Sequence, residues 1–100
     1  MDNAKNILKI GCNSYKVKDA EIESCAYKIE IFDEIVIEEG ISEIGYLAFR
    51  GQSRVEKVTL PSTLKSIGYE AFSGCSSLTS IAIPDGVMEI GSCAFTVVLI

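Results

Sequence analysis

The chain has 100 residues, 48% of them hydrophobic and 23% charged, which describes one globular domain or a few coils of an array rather than a disordered chain. A formal net charge of −5 argues against a nucleic-acid partner and against attachment to anionic lipid, both of which need a basic face. No stretch approaches the ~20 apolar residues of a membrane span, and the N-terminus, carrying Asp2, Lys5 and Lys9, lacks the apolar core of a signal peptide.

Residues 1–21 read as an irregular N-terminal cap. Within it Ile7-Leu8-Lys9-Ile10 predicts a short strand, Gly11 to Ser14 a turn, and Tyr15 to Lys18 a second strand by apolar–polar alternation. Then Ile22-Glu23-Ser24-Cys25-Ala26-Tyr27 announces a phrase that returns three times in stricter form. Residues 44–49 read I-G-Y-L-A-F, residues 67–72 I-G-Y-E-A-F and residues 90–95 I-G-S-C-A-F, at a constant interval of 23. A fixed period of this size marks a solenoid, whose terminal repeats are expected to be atypical.

The same period orders everything between the phrases. Ile35, Val58 and Ile81 share one position, and Ile37, Leu60 and Ile83 the position two later. This period-two pattern predicts a first-wall strand in each coil, closed by Pro61 and Pro84, with the first copy free to run on because Glu38 replaces the proline. Ile41, Leu64 and Val87, followed by Ile44, Ile67 and Ile90, predict a second short strand on the opposite wall. Gly45, Gly68 and Gly91 come next, at a corner that needs either φ > 0 or close backbone approach. The Ala-Phe pairs then predict a single helical turn ending near Gly51 and Gly74, with phenylalanine rings stacked coil on coil. Phe32, Val55 and Leu78 re-enter the core.

One such unit cannot cover its own inward side chains. Neighbouring coils must do so, with parallel strand ladders satisfying the backbone. The predicted fold is therefore α/β: a solenoid of about four coils over residues 22–95, with two short parallel sheets and single helical turns at one edge. Residues 96–100, Thr-Val-Val-Leu-Ile, form an apolar tail, either a cap or a truncated repeat. An uncovered end coil predicts self-association through the C-terminal coil.

Cys25 and Cys93 occupy equivalent places three coils apart, about 14 Å at ~4.8 Å per strand, beyond the ~7 Å that a disulfide spans. Without histidine or a C-x-x-C pair no metal site is expected, and the four cysteines read as small buried apolar residues. Catalysis finds no support either: no histidine stands behind a nucleophile, and adjacent acids such as Glu38-Glu39 point to opposite faces of an extended segment. No cofactor is expected, and Tyr46 and Tyr69 read as packing or surface residues.

The order, spacing and residue types of Cys75 to Pro84, Val87 to Gly91 and Ala94-Phe95 resemble the BspA-type leucine-rich repeats. Glu38 and Gln52 depart from the pattern. The resemblance implies a leucine-rich-repeat fold and an adhesive, protein-binding role at the cell surface or in secreted form. Repeat proteins bind along their strand ladders, so the candidate face is the outward side of the first wall: Glu34, Lys57 and Ser80 in one row, Val36, Thr59 and Ala82 in the next. The expected activity is a non-enzymatic interaction with another protein. The competing reading is a structural spacer in a longer array whose binding residues lie elsewhere.

Overall fold

A computed structural model describes residues 5–27 and 30–96. Among these residues eight short strands follow one another: β1 (Ile7–Ile10), β2 (Val17–Lys18), β3 (Glu21–Ile22), β4 (Glu34–Ile37), β5 (Glu43–Ile44), β6 (Lys57–Thr59), β7 (Ser66–Ile67) and β8 (Glu89–Ile90). They form two sheets, β1-β4-β6 on the first wall and β2-β3-β5-β7-β8 on the second. All pairings are parallel except the β2–β3 hairpin. The molecule is a β-solenoid of about four turns.

No helix occurs among the described residues, so the α/β class and the helical turns give way to an all-β coil. The physical reason lies in the residue before each alanine. Cys25, Leu47, Glu70 and Cys93 all have φ between 53° and 61°, a left-handed conformation that no right-handed helix can pass through. The amides are also directed elsewhere. Leu47 N–H donates to Tyr69 O, Phe49 N–H to Ala71 O and Gly51 N–H to Ser73 O, each in the next coil. The corner is a third inter-coil ladder.

The glycine after each second-wall strand serves close approach rather than positive φ. A Cβ built on Gly68 would lie 2.7 Å from Tyr46 N and 2.8 Å from Ile44 O, and one on Gly45 would lie 2.5 Å from Ile22 O. These contacts are with backbone, which cannot swing aside as a side chain can. The aromatic column stands as the sequence predicts, with Tyr27 at its head. Tyr27–Phe49, Phe49–Phe72 and Phe72–Phe95 stack at 5.4, 5.2 and 5.5 Å. Ile35, Ile41, Ile44, Ala48, Val55, Leu64, Ile67, Ala71 and Leu78 are among the buried residues around it.

Two first-wall details differ from expectation. The alternation at residues 81–83 does not become a strand, and the wall ends at β6. At the other end of the wall, β1 joins as an unforeseen neighbour of β4. Ile7 aligns with Glu34 and Ile10 with Ile37, an offset of 27 rather than 23 residues. β4 does run one residue longer than β6, and Glu38 N–H, which Pro61 lacks, donates to Ile10 O. Of the apolar tail, residues 97–100 lie outside the described residues.

Among the described residues Gln52 is the one polar side chain buried in the core. Its Oε1 accepts from Phe32 N–H at 3.1 Å, while its Nε2 donates to Tyr27 O at 2.8 Å and to Glu30 O. A glutamine reaches far enough to serve an N–H and two carbonyls of the irregular segment leading into β4, which the regular ladders do not serve.

Candidate functional site

The first-wall face is built from the pleat of β1, β4 and β6. Alternation turns Ile35, Ile37 and Val58 into the core and leaves Glu34, Val36, Lys57 and Thr59 pointing outward. Parallel register then sets Glu34 beside Lys57 and Val36 beside Thr59. Lys57 and Thr59 are exposed, Glu34 and Val36 half-buried. Ser80 and Ala82 are exposed too, but they are not joined to the sheet. A cleft of about 290 Å³ lies here, lined by Lys57 to Leu60 and Ser80 to Ala82. Four of the six candidate residues are brought together, and two line the cleft's far side.

β1 adds two residues that the reading of the ladder leaves out. Ile7 continues the Glu34–Lys57 row and Lys9 the Val36–Thr59 row, and both are exposed. The I-L-K-I alternation carried the signal for a strand. Its 27-residue offset hid the register, because the period of the array is 23.

Exposed aromatic surface lies elsewhere. Tyr46 and Tyr69, 52% and 49% exposed, follow the corner glycines of successive coils. Next to them Arg50 Nε meets Glu70 Oε1 at 3.0 Å, a solvated pair of small energetic weight. Glu70 raises the Tyr69 hydroxyl above its ordinary value, first as a hydrogen-bond acceptor and then by its charge. On the first-wall side, Arg54 and Asp33 pair at 3.0 Å. Glu39 accepts from Ser62 N–H at 2.9 Å and Ser62 O–H at 2.7 Å, which holds its carboxyl below the usual range.

The cysteines correct one expectation. Only Cys75 is fully buried, whereas Cys25 is half-buried and Cys12 and Cys93 are exposed. Burial pushes the Cys75 thiol up to about 12, so it packs as a neutral side chain, its Sγ 3.4 Å from Phe49 O. Among the described residues no group of three His, Cys, Asp or Glu side chains could hold a metal ion, and no helix is long and apolar enough to cross a membrane. What the arrangement presents is surface: a flat sheet face of mixed chemistry, a shallow cleft at its edge and two exposed tyrosines at a corner.

A sequence model of the BspA type leucine rich repeat region, in 6 copies, matches residues 20–98. No curated protein has a matching sequence. Among solved structures, the chain is similar to a leucine-rich repeat protein of T. pallidum at a TM-score of 0.72 and 21% identity, covering 92% of this chain and 54% of that one. It is also similar to a leucine-rich repeat protein from Bacteroides capillosus at a TM-score of 0.75 and 24% identity, covering 84% of this chain and 64% of that one. The chain thus spans a little over half to about two thirds of these neighbours' lengths.

Proposed function

The chain belongs to the BspA-type leucine-rich repeat family, and from that premise we propose that it is a non-enzymatic protein-binding module that engages its partner through the first-wall face. The observation that supports this reading is the register of β4 and β6. It sets Val36 beside the methyl-bearing Thr59 and, one row away, Glu34 beside Lys57 on a hydrogen-bonded surface. Such a platform offers a partner both apolar area and an orienting charge. Ser80 and Ala82 extend it across the cleft. An adhesive role at the cell surface or in secreted form belongs to the same proposal. So does the division into an N-terminal cap (1–21), a repeat array (22–95) and a tail (96–100), with self-association through the C-terminal coil.

The test is a pull-down with the intact chain beside a Lys57→Glu, Thr59→Arg double variant. A partner captured by the parent chain and lost by the variant supports the first-wall face. Equal capture removes that face from consideration. A spacer role is the second reading, favoured by the absence of aromatic residues from these rows, since hot spots are rich in tyrosine, tryptophan and arginine. A spacer predicts no specific capture by either form.

A further inference from the structure

The two ends of the coil differ in chemistry. Residues 5–18 carry Lys5, Lys9, Lys16 and Lys18 and no carboxylate, whereas residues 66–96 carry Glu70, Asp85 and Glu89 and no cation. Glu70 is engaged by Arg50, which leaves Asp85 and Glu89 to set the charge of the C-terminal end. That end also bares what earlier coils bury. Ile83, Met88 and Ile90 are exposed, and Ile81, Val87 and Phe95 only half-buried. A hollow of about 600 Å³ opens along β7 and β8, with Ile67, Gly68, Ile90 and Gly91 in its lining. The N-terminal end presents an exposed Ile7, half-buried Leu8 and Val17, and Lys16, whose ammonium sits 5.3 Å from the Tyr27 ring centre.

The columns of the two sheets show how these ends match. Val17 heads the inward column Ile22, Ile44, Ile67, Ile90, and Lys18 heads the outward column Glu21, Glu43, Ser66, Glu89. On the first wall Leu8 heads the column of Ile35 and Val58, which the 23-residue period continues to Ile81.

We propose, resting on the self-association reading above and deepening it, that the C-terminal face takes the N-terminal face of a second copy of this chain, head to tail. One further step along the coil axis sets Ile90 against Val17 of the second copy and Glu89 against its Lys18, while Ile81 and the second copy's Leu8 lie in line two strand steps apart, because β1 stands level with β3 rather than with β2. It also brings Phe95, on whose outer side no described aromatic ring stacks, up to Lys16, adding a second aromatic face to that ammonium. The outer β8 edge, which no described strand pairs, gains a neighbour. A two-fold, tail-to-tail contact would instead set Glu89 against Glu89, and residues 66–96 hold no cation, the nearest being Lys65 of the coil before, beside Gly86. Because the head-to-tail contact is heterologous, it propagates into longer assemblies.

Sedimentation velocity on the 100-residue chain, from micromolar to millimolar concentration, tests this. Mass should rise with concentration and fall with added salt. Lys18→Glu and Glu89→Lys should each raise the dissociation constant at least about tenfold by placing like charges together. Mixing the two variants, or combining both changes in one chain, should restore association. Circular dichroism confirms that each variant folds. Lys57→Glu with Thr59→Arg should leave association unchanged, which separates this contact from the partner-binding face. A monomer at every concentration, as when the chain's own residues 97–100 cover the face, overturns the proposal. So does association that Glu89→Lys alters and Lys18→Glu does not, a result that keeps the C-terminal coil as the contact but makes it tail to tail.

Discussion

Ile67 and Ile90 open the same phrase in consecutive coils, yet the first is 1% exposed and the second 50%. Phe72 lies between two rings of the aromatic column, while Phe95 has Phe72 on one side alone among the described residues. The second-wall ladder runs through both coils, as Lys65 N–H donates to Ser42 O and Met88 N–H to Lys65 O. The first-wall ladder does not. Glu56 N–H donates to Asp33 O, but Thr79 N–H, one period later, has no backbone acceptor among the described residues. A repeat residue becomes core only when the next coil covers it. The same chemistry, uncovered, is surface. In the last coil the corner and second wall, both hydrogen-bonded to the coil before, hold the register without help from the first wall.

Substitutions can break this contrast between middle and last coil. The largest difference is expected for the stacked rings. Phe72→Ala should cost about 3–5 kcal/mol of stability by urea denaturation, as for a buried aromatic, and Phe95→Ala about 1–2 kcal/mol, because half its surface contact is already missing. Equal losses would mean that Phe95 is as well covered as Phe72. Gly68→Ala drives a methyl into the backbone of the preceding coil and should cost about 1–3 kcal/mol; an unchanged melting temperature would show that the coils can part freely. Cys93→Gly relieves a left-handed residue in the last coil and should stabilise by about 1 kcal/mol, provided that coil unfolds together with the rest. No gain would show the last coil fraying on its own.

The smallest effect is pH-dependent. Hydrogen bonds from Ser62 hold Glu39 below its ordinary value of 4.5, so they contribute stability that is present above that value. It is lost as pH falls through the lowered one. Glu39→Gln should flatten the acid limb of the parent's stability profile slightly. A steeper limb in the variant would reverse the sign assigned here.

Most of the architecture was legible because burial and backbone pairing both repeat every 23 residues, so each inward position is written three times. What was not legible has particular causes. The left-handed residue of each corner is Cys25, Leu47, Glu70 or Cys93, none of which advertises positive φ as glycine or asparagine does. The turn therefore read as helical. β1 pairs at an offset of 27, which a 23-residue frame cannot reveal. Residues 81–83 alternate as well as their predecessors, yet they do not join the first wall, although residues 89–90 of the same coil join the second. Of the candidate face, Glu34, Val36, Lys57 and Thr59 followed from alternation alone. Ile7 and Lys9 required the fold.

Amide hydrogen exchange on the 100-residue chain reads the role of cover most directly. The Phe49, Phe72, Gly68 and Gly91 amides, each bonded to a neighbouring coil, should be protected. The Glu56 amide should exchange slowly as well, while Thr79, its counterpart one period later, should exchange at close to the unprotected rate together with Ile81 and Ala82. Protection of Thr79 and Ile81 equal to that of Glu56 and Val58 would contradict the account, because the first wall would then continue past β6.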